Sequence, residues 1–385
     1  MKVRLGDIFE IGSGGTPPKS HPEYYGGDIP WVKTGDLKEE YLFSVEDYIT
    51  EEGLDNSSAK MYQPGTVLIA MYGATIGATS ILQFDACTNQ ACAAFKPCKD
   101  VIPEYLYYFL RSQRRKFIND GVGGAQPNIS AGYLKKVAFE IRPIEEQKEI
   151  IDVLDKINSI IQIRQEEIQR LDELVRARFV ELFGDPIRNE YGWKTLSLLD
   201  SLEKGRTVSY GIVQTGDDFE NGVPVFRPID IAAGHMPKRE DLKKTDPLIS
   251  AQYKRTLLKG NELLITVRGS VGETFQTTPE FEGCNVGRNI VPLVTEPNKI
   301  NQRFLQELFA QDPIKRWLKG ITKGIALQGL NMSEFKEMPV IMPPLEKQNS
   351  FVVFAKQVDK SKAQVQKALD ETQLLFDSLM QEYFD

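Results

Sequence analysis

Histidine is almost absent from this chain. His21 and His235 are the only two in 385 residues, and neither is spaced for a metal or for paired acid–base work. Cysteine is nearly as scarce. Cys87, Cys92, Cys98 and Cys284 are unevenly placed and lack the close pairs of zinc sites. A disulfide framework and a metal cluster are therefore not expected, and small buried thiols are. No apolar run approaches the ~18 residues of a membrane span. The opening Met1-Lys2-Val3-Arg4-Leu5-Gly6-Asp7 lacks the apolar core of a signal peptide. A cytoplasmic protein without membrane contact is the expectation.

Catalytic motifs are missing too. Gly12-Ser13-Gly14-Gly15-Thr16-Pro17-Pro18-Lys19-Ser20 looks superficially like a phosphate loop. A phosphate loop needs glycine directly before its lysine, whereas Pro17 and Pro18 remove two backbone donors there. A turn or ligand-facing loop is the better reading. There is no Gly-x-Ser-x-Gly elbow and no Asp/Asn-Pro-Pro-aromatic segment of the kind amino-methyltransferases carry. Carboxylates beside lysine, as in Glu240-Asp241-Leu242-Lys243, are expected by chance at 26% charged residues. Neither enzymatic activity nor a bound cofactor is expected.

What the chain does have, it has twice. Pro143-Ile144-Glu145-Glu146-Gln147 returns as Pro344-Leu345-Glu346-Lys347-Gln348, 201 positions on. Gly27-Asp28-Ile29-Pro30-Trp31-Val32-Lys33 with Asp36 is answered by Gly222-Val223-Pro224-Val225-Phe226-Arg227 with Asp230. Tyr62-Gln63-Pro64-Gly65, an apolar run and Gly77 are answered by Leu258-Lys259-Gly260, an apolar run and Gly272. A period this long excludes a solenoid and indicates a duplicated domain-plus-helix module. Four segments follow: a mixed domain over 1–144, a helix over 145–185, a second mixed domain over 186–343 and a helix over 344–385. The fold class is α+β.

The helical segments carry the strongest periodicity. Ile150, Leu154, Ile157, Ile161, Arg164, Ile168, Leu171, Val175, Arg178 and Leu182 alternate spacings of four and three. The second copy keeps the register at Phe351, Ala355, Val358, Lys362, Val365, Leu369, Thr372, Phe376, Leu379 and Tyr383. A 3.5-residue period predicts a coiled-coil seam, and two seams in one chain most simply bury each other. About 36 helical residues at ~1.5 Å each make a rod of roughly 50 Å. Gly184-Asp185-Pro186 is a helix stop. The competing reading is that each helix merely packs on its own domain.

Within the domains, strands are predicted at Thr66–Tyr72, Ala91–Phe95 and Glu262–Val267. Helices are predicted from Pro103 and over Asn301–Leu318, and loops over Gly121–Asn128 and Gly320–Asn331.

Net charge is −7, which on its face argues against nucleic acid. Residues 145–185 hold 6 basic and 11 acidic side chains, and 344–385 hold 5 and 7, so the helices account for the whole excess. The remainder balances at 36 and 36, with −2 over 1–144 and +2 over 186–343. Neutral domains can carry a basic face. Arg111, Arg114, Arg115 and Lys116 cluster at one helix end, and Lys315, Arg316 and Lys319 at its counterpart, where they could neutralise phosphates or simply be solvated. The loops offer Asn89, Gln90, Gln126 and Asn128, then Arg288, Asn289, Gln328 and Asn331. Arginine suits guanine, and Asn or Gln suits adenine, in the major groove. Each such residue can equally be a turn former.

Taken in order, Leu5-Gly6-Asp7, Gly14-Gly15-Thr16-Pro17, Ile29-Pro30-Trp31-Val32-Lys33 with Asp36, Pro64-Gly65 to Gly77, Thr88-Asn89-Gln90 and the Pro143–Gln147 helix opening resemble the specificity subunit of type I restriction–modification systems. The resemblance covers essentially the whole chain. It implies two target-recognition domains, each followed by a long helix, with the helices paired as an antiparallel coiled coil. Each domain would read one half of a bipartite, asymmetric double-stranded DNA target. Two methyltransferase subunits would dock on the helices, and restriction or translocase subunits would join them. The DNA-facing residues it implies in the first domain are Thr16, Lys33, Thr34, Tyr72, Thr75, Asn89, Gln90, Gln126 and Asn128, and the helix-end charges add Arg114 and Arg115. In the second they are Arg206, Tyr210, Arg227, Arg268, Ser270, Arg288, Asn289 and Gln328, and the helix-end charges add Lys315 and Arg316. The central seam would be Ile157, Ile161, Ile168, Leu171 and Val175 against Val358, Val365, Leu369, Phe376 and Leu379. The second copy departs by lacking Trp31 and by reading Asn285-Val286-Gly287-Arg288-Asn289 where the first has Thr88-Asn89-Gln90. The alternative from another class is a coiled-coil scaffold with paired protein-binding domains. A self-contained restriction enzyme is excluded by its missing catalytic segments.

Overall fold

A computed structural model describes residues 2–121, 128–205, 208–232, 237–323 and 329–384. It falls into two compact units, residues 1–165 with 367–385 and residues 166–366. Each unit owns part of both long helices, Ile144–Phe183 and Leu345–Phe384. Packing thus divides the chain within the helices, whereas composition shifts at their ends.

In unit 1 a five-stranded sheet runs in the order Ile11–Ser13, Cys92–Phe95, Val67–Ala70, Thr79–Leu82, Tyr41–Leu42. Three of these strands are buried at every position. Strands covered on both faces read as continuous apolar runs, which is why Val67–Ala70 shows no alternation. Successive side chains still diverge. Val67, Ile69, Ile81 and Phe95 join a core with the helix Pro103–Ser112, while Leu68, Ala70, Leu82 and Ala94 join Val32 and Tyr62 on the other face. A second sheet sets Trp31 and Val32 parallel to Cys87 and Thr88.

Unit 2 repeats the plan. Thr274–Gln276, Leu263–Thr266 and Ile290–Leu293 form a sheet whose Leu263 and Ile265 meet Phe304 while Leu264 and Ile290 meet Phe226 and Phe281. Val225 and Phe226 run parallel to Asn285 and Val286. The helix expected over Asn301–Leu318 is two helices, Gln302–Phe309 and Asp312–Gly320. Pro313 opens the second, where a missing N–H is tolerated, and the chain turns at Ala310 and Gln311. The loop expected over Gly320–Asn331 contains a short strand pair, Thr322–Lys323 with Gly329–Leu330. Most of the loop expected over Gly121–Asn128 lies outside the described residues.

The duplicated glutamine explains the duplicated helix opening. Gln147 is fully buried; its Oε1 accepts the Ile102 N–H at 2.9 Å, and its Nε2 donates to the carbonyls of Asp100 and Arg142 at 2.9 and 2.8 Å. Gln348 repeats this with the Asn301 N–H at 2.9 Å and the carbonyls of Lys299 and Pro343 at 3.3 and 2.7 Å. Each clamps a long-helix N-terminus to the start of its domain's helix.

Within each unit the two helices run in opposite directions. In unit 1 Ile157 and Ile161 share a core with Phe376, against which Leu369 and Leu379 pack. There Arg142, just before the first helix, donates to the Tyr383 carbonyl at 3.2 Å, and Arg164 donates to the Ala368 carbonyl and the Thr372 hydroxyl. In unit 2 Val175 shares a core with Val358, Leu171 packs against it, and Lys362 pairs with Asp172 at 2.7 Å. Ile168 and Val365 are half-buried. The polar breaks in the heptads therefore find polar partners. The heptad pattern does not list Ile151, Phe179, Phe183, Val352 and Met380, yet all are buried. They form a second face on each helix, toward the globular part. Gly184, at φ +74°, stops the first helix in a conformation glycine adopts without a Cβ clash. No helix is long and apolar enough to cross a membrane among the described residues.

Candidate nucleic-acid interface

Parallel strands end on the same side, so the loops that leave them lie together. In unit 1 Val32 leads into Lys33 and the turn Thr34–Asp36, and Thr88 leads into Asn89 and Gln90. Backbone bonds tie in three more segments. Gly15 N–H donates to the Thr88 carbonyl at 2.9 Å, Met71 N–H to Ala91 at 2.8 Å, and Ile129 N–H to Met71 at 3.0 Å. Thr16, Lys33, Thr34, Tyr72, Thr75, Asn89, Gln90 and Asn128 thus share one rim, with Tyr72 bridged to Asn128. Arg114 joins it, its Nε donating to the Ile76 carbonyl at 3.2 Å. It sits with exposed Arg115 on a short helix, Arg114–Asp120, separate from the main one. Gln126 lies outside the described residues.

Unit 2 builds the same rim with the same bonds. Ile212 N–H donates to Val286 at 2.8 Å, Gly287 N–H to Phe226 at 2.9 Å, Val267 N–H to Asn289 at 2.8 Å, and Leu330 N–H to Val267 at 2.9 Å. A Cβ on Gly14 would lie 1.8 Å from the Thr88 carbonyl oxygen, and one on Gly211 would lie 1.8 Å from that of Val286. Glycine is required at both, because backbone approaches backbone there. Tyr210, Arg227, Arg268, Ser270, Arg288 and Asn289 share this rim, while Arg206 and Gln328 lie outside the described residues. Lys315 and Arg316 are exposed on Asp312–Gly320, whose Leu318 touches the Gly272 turn.

Side-chain partners separate structural members from available ones. The Asp36 carboxylate accepts the Lys33 N–H at 2.7 Å, and Asp230 accepts the Arg227 N–H at 2.7 Å, so each aspartate caps its turn. Lys33 pairs with Asp47 at 2.6 Å and lies 5.0 Å from the Trp31 ring; Arg227 pairs with Asp230 at 3.0 Å. Asn89 Oδ1 accepts the Ala91 N–H at 3.1 Å, which makes it a turn former. The Thr75 hydroxyl donates to the Tyr72 carbonyl at 3.2 Å, and the Ser270 carbonyl accepts from Thr266. Thr16 donates to Gln90 Oε1. Arg268 lies over the Tyr210 ring at 5.4 Å. Arg115, Arg288, Lys315 and Arg316 have no ion pair among the described residues.

Sequence reasoning missed a cluster away from the rim. Glu40, Glu104 and Asp155 converge in unit 1, with Tyr41 Oη donating to Glu104 at 3.0 Å and Tyr108 Oη to Asp155 at 2.5 Å. Burial, then the charges of Asp155 and Glu104, push the Glu40 carboxyl up to about 7. Its members lie far apart in sequence, so no local signal marks it. Burial also pushes the Cys87 thiol up to about 12, which leaves it unreactive at neutral pH. No group of histidine, cysteine and carboxylates that could hold a metal occurs among the described residues.

The family described as type I restriction modification DNA specificity domain matches residues 1–173 and 192–372. The type I restriction enzyme MjaIX specificity subunit of Methanocaldococcus jannaschii is 27% identical over 391 residues, covering 93% of this chain and 88% of that protein. The EcoBI specificity subunit of Escherichia coli is 23% identical over 349 residues, covering 83% and 73%. Among solved structures, a chain from work on complex assembly and conformational transition of the type I R-M system superposes with TM-score 0.64 at 17% identity, covering 100% of this chain and 97% of its own. The type I system S subunit from M. genitalium does so at 0.53 and 16%, covering 100% and 96%. At these identities the likeness shows the fold.

Proposed function

This chain belongs to the type I restriction modification DNA specificity family, and on that premise we propose that it is the DNA-reading, non-catalytic subunit of a type I restriction–modification complex. Its target is bipartite and asymmetric, each rim reading one half. The observation that carries this is the double rim: the same backbone bonds are built twice while the exposed side chains differ. A conserved frame with exchanged tips is what two related but unequal half-sites require. Exposed arginines and lysines at the helix ends beside each rim engage phosphates, and rim side chains read bases.

The long helices dock methyltransferase subunits, and restriction subunits join that assembly in the cytoplasm. Supporting this, Ile160, Ile163, Leu374 and Leu375 of unit 1 are apolar and exposed, as are Leu174, Val180 and Val353 of unit 2. Helices already buried in a seam and against a domain have no folding reason for a further apolar face.

The test is methylation mapping of the source genome, followed by duplex binding with the subunit assembled on its methyltransferase partners. The expected outcome is one motif in two separated blocks, bound with an affinity that falls steeply as salt rises. Equal affinity for all duplexes would sink the proposal and favour the scaffold.

A further inference from the structure

The two rims can be aligned position by position from their hydrogen bonds. Asn89 N–H donates to the Val32 carbonyl and Gly287 N–H to that of Phe226, each at 2.9 Å; Met71 N–H donates to the Ala91 carbonyl as Val267 N–H does to that of Asn289, each at 2.8 Å. Between these fixed points lies one residue in each unit, Gln90 in unit 1 and Arg288 in unit 2. Both are exposed. Sequence comparison alone hides the match, because Thr88-Asn89-Gln90 and Val286-Gly287-Arg288 share no residue.

Most other polar rim side chains are committed. Asn89, Lys33 and Arg227 hold turns or ion pairs, and Arg268 lies over Tyr210. The Asn289 Oδ1 is buried. Gln90 and Arg288 keep reading groups available. The hydroxyl of Thr16 fixes the Gln90 carboxamide by donating to Oε1, which leaves both amide hydrogens and one lone pair. That donor–acceptor pair suits the N7 and N6 edge of adenine. In unit 2 the residue after Ile212 is Val213, which offers no hydroxyl, and the Arg288 guanidinium has no ion pair among the described residues. Its planar fork suits O6 and N7 of guanine.

We propose that Gln90 and Arg288 are equivalent base-reading residues, Gln90 taking an adenine in the half-site of unit 1 and Arg288 a guanine in the half-site of unit 2. This rests on the DNA-reading function proposed above.

The experiment uses the subunit assembled with its methyltransferase partners, and the probe is a duplex carrying the motif that methylation mapping returns. Wild-type complex is expected to lose about ten- to a hundredfold in affinity when the guanine read by Arg288 is replaced. Arg288→Lys keeps the charge and loses the fork. It is expected to abolish discrimination at one guanine of one half-site and to leave the other half-site unchanged. Gln90→Leu is expected to do the same at one adenine of the other half. Full discrimination by Arg288→Lys, relaxation at a base that is not guanine, or both variants acting on the same half would each overturn the assignment. A wild-type complex with no preferred motif would instead overturn the underlying reading. Binding of both variants to a duplex lacking the motif, at wild-type affinity, shows that they fold and assemble.

Discussion

The two places where a long helix meets its domain are built on one backbone plan and opposite electrostatics. In unit 1 the contact is made by tyrosines and carboxylates: Tyr41 on Glu104, Tyr108 on Asp155, and Glu40 beside both acids. In unit 2 it is an ion-pair network, with Arg303 on Glu307 at 2.6 Å and on Asp359 of the long helix at 3.0 Å. The glutamine clamps beside them are the same. What is retained after duplication is the group that satisfies backbone donors and acceptors. Side chains that meet only other side chains are free to change together. The rims show the same division, with backbone bonds kept and tips exchanged.

The largest break in this comparison is expected from Phe179→Ala. Its ring is fully buried, stacked on Phe304 at 5.3 Å and edge-on to Phe351 at 5.5 Å. Removing it should cost unit 2 about 3–5 kcal/mol through lost burial and a residual cavity. Hydrogen exchange should show accelerated opening of unit 2 alone; equal loss of protection in unit 1 would show that the units are not separable.

Gln147→Leu and Gln348→Leu test the retained part. Each leaves a buried N–H and two carbonyls without their partner, at about 1–3 kcal/mol per orphaned group. The two substitutions should therefore destabilise their own units by similar amounts, several kcal/mol in denaturant titration. A markedly smaller loss in one unit would mean that the clamp is inherited without being needed there.

The changed part is tested by Arg303→Leu against Tyr108→Phe. Arg303→Leu strands Glu307, a carboxylate with only 10% of its side chain exposed, and should cost unit 2 about 2–3 kcal/mol. Tyr108→Phe removes one hydrogen bond to Asp155 and should cost unit 1 about 1 kcal/mol. The reverse order, measured by the same exchange experiment, would contradict the assignment of the two networks.

Much of this frame is legible in the sequence and much of the site is not, for physical reasons. A heptad pattern reports spacing along one helix, so Ile157, Ile161 and Val175 stand out. Phe179 and Phe183 fall outside it because they answer to a second surface that periodicity does not encode. The glutamine is visible as a repeat, but its role is not, since its partners Ile102 and Asn301 lie over forty residues away. Pro313 marks the break at Ala310 and Gln311, but the apolar spacing on either side of it reads through as one helix. On the rim, residue type nominates Lys33 and Asn89 as readily as Gln90. Only the positions of Asp47 and of the Ala91 N–H distinguish committed side chains from available ones.

The two junctions also carry a pH dependence that they share in sign and that differs in strength. Burial raises the carboxyls of both Glu40 and Glu307. At Glu307 the Arg303 guanidinium is the largest influence after burial and opposes the rise, with Asp359 and Asp172 adding less, whereas at Glu40 the neighbouring Asp155 and Glu104 add to it first, with Tyr41 and Arg111 opposing weakly. Between the ordinary glutamate value near 4.5 and about 7, folded unit 1 holds a proton on Glu40 that the unfolded chain has released. Stability linked to that proton is present at the acid end and declines as pH rises through this window. Unit 1 should therefore gain protection on acidification from pH 7 to pH 5, more than unit 2 does. Glu40→Gln, which carries no titrating proton, should flatten that slope without moving the acid-side value. A slope of opposite sign in the wild-type protein, or one unchanged by Glu40→Gln, would mean that Glu40 does not hold a proton in the folded unit across this window.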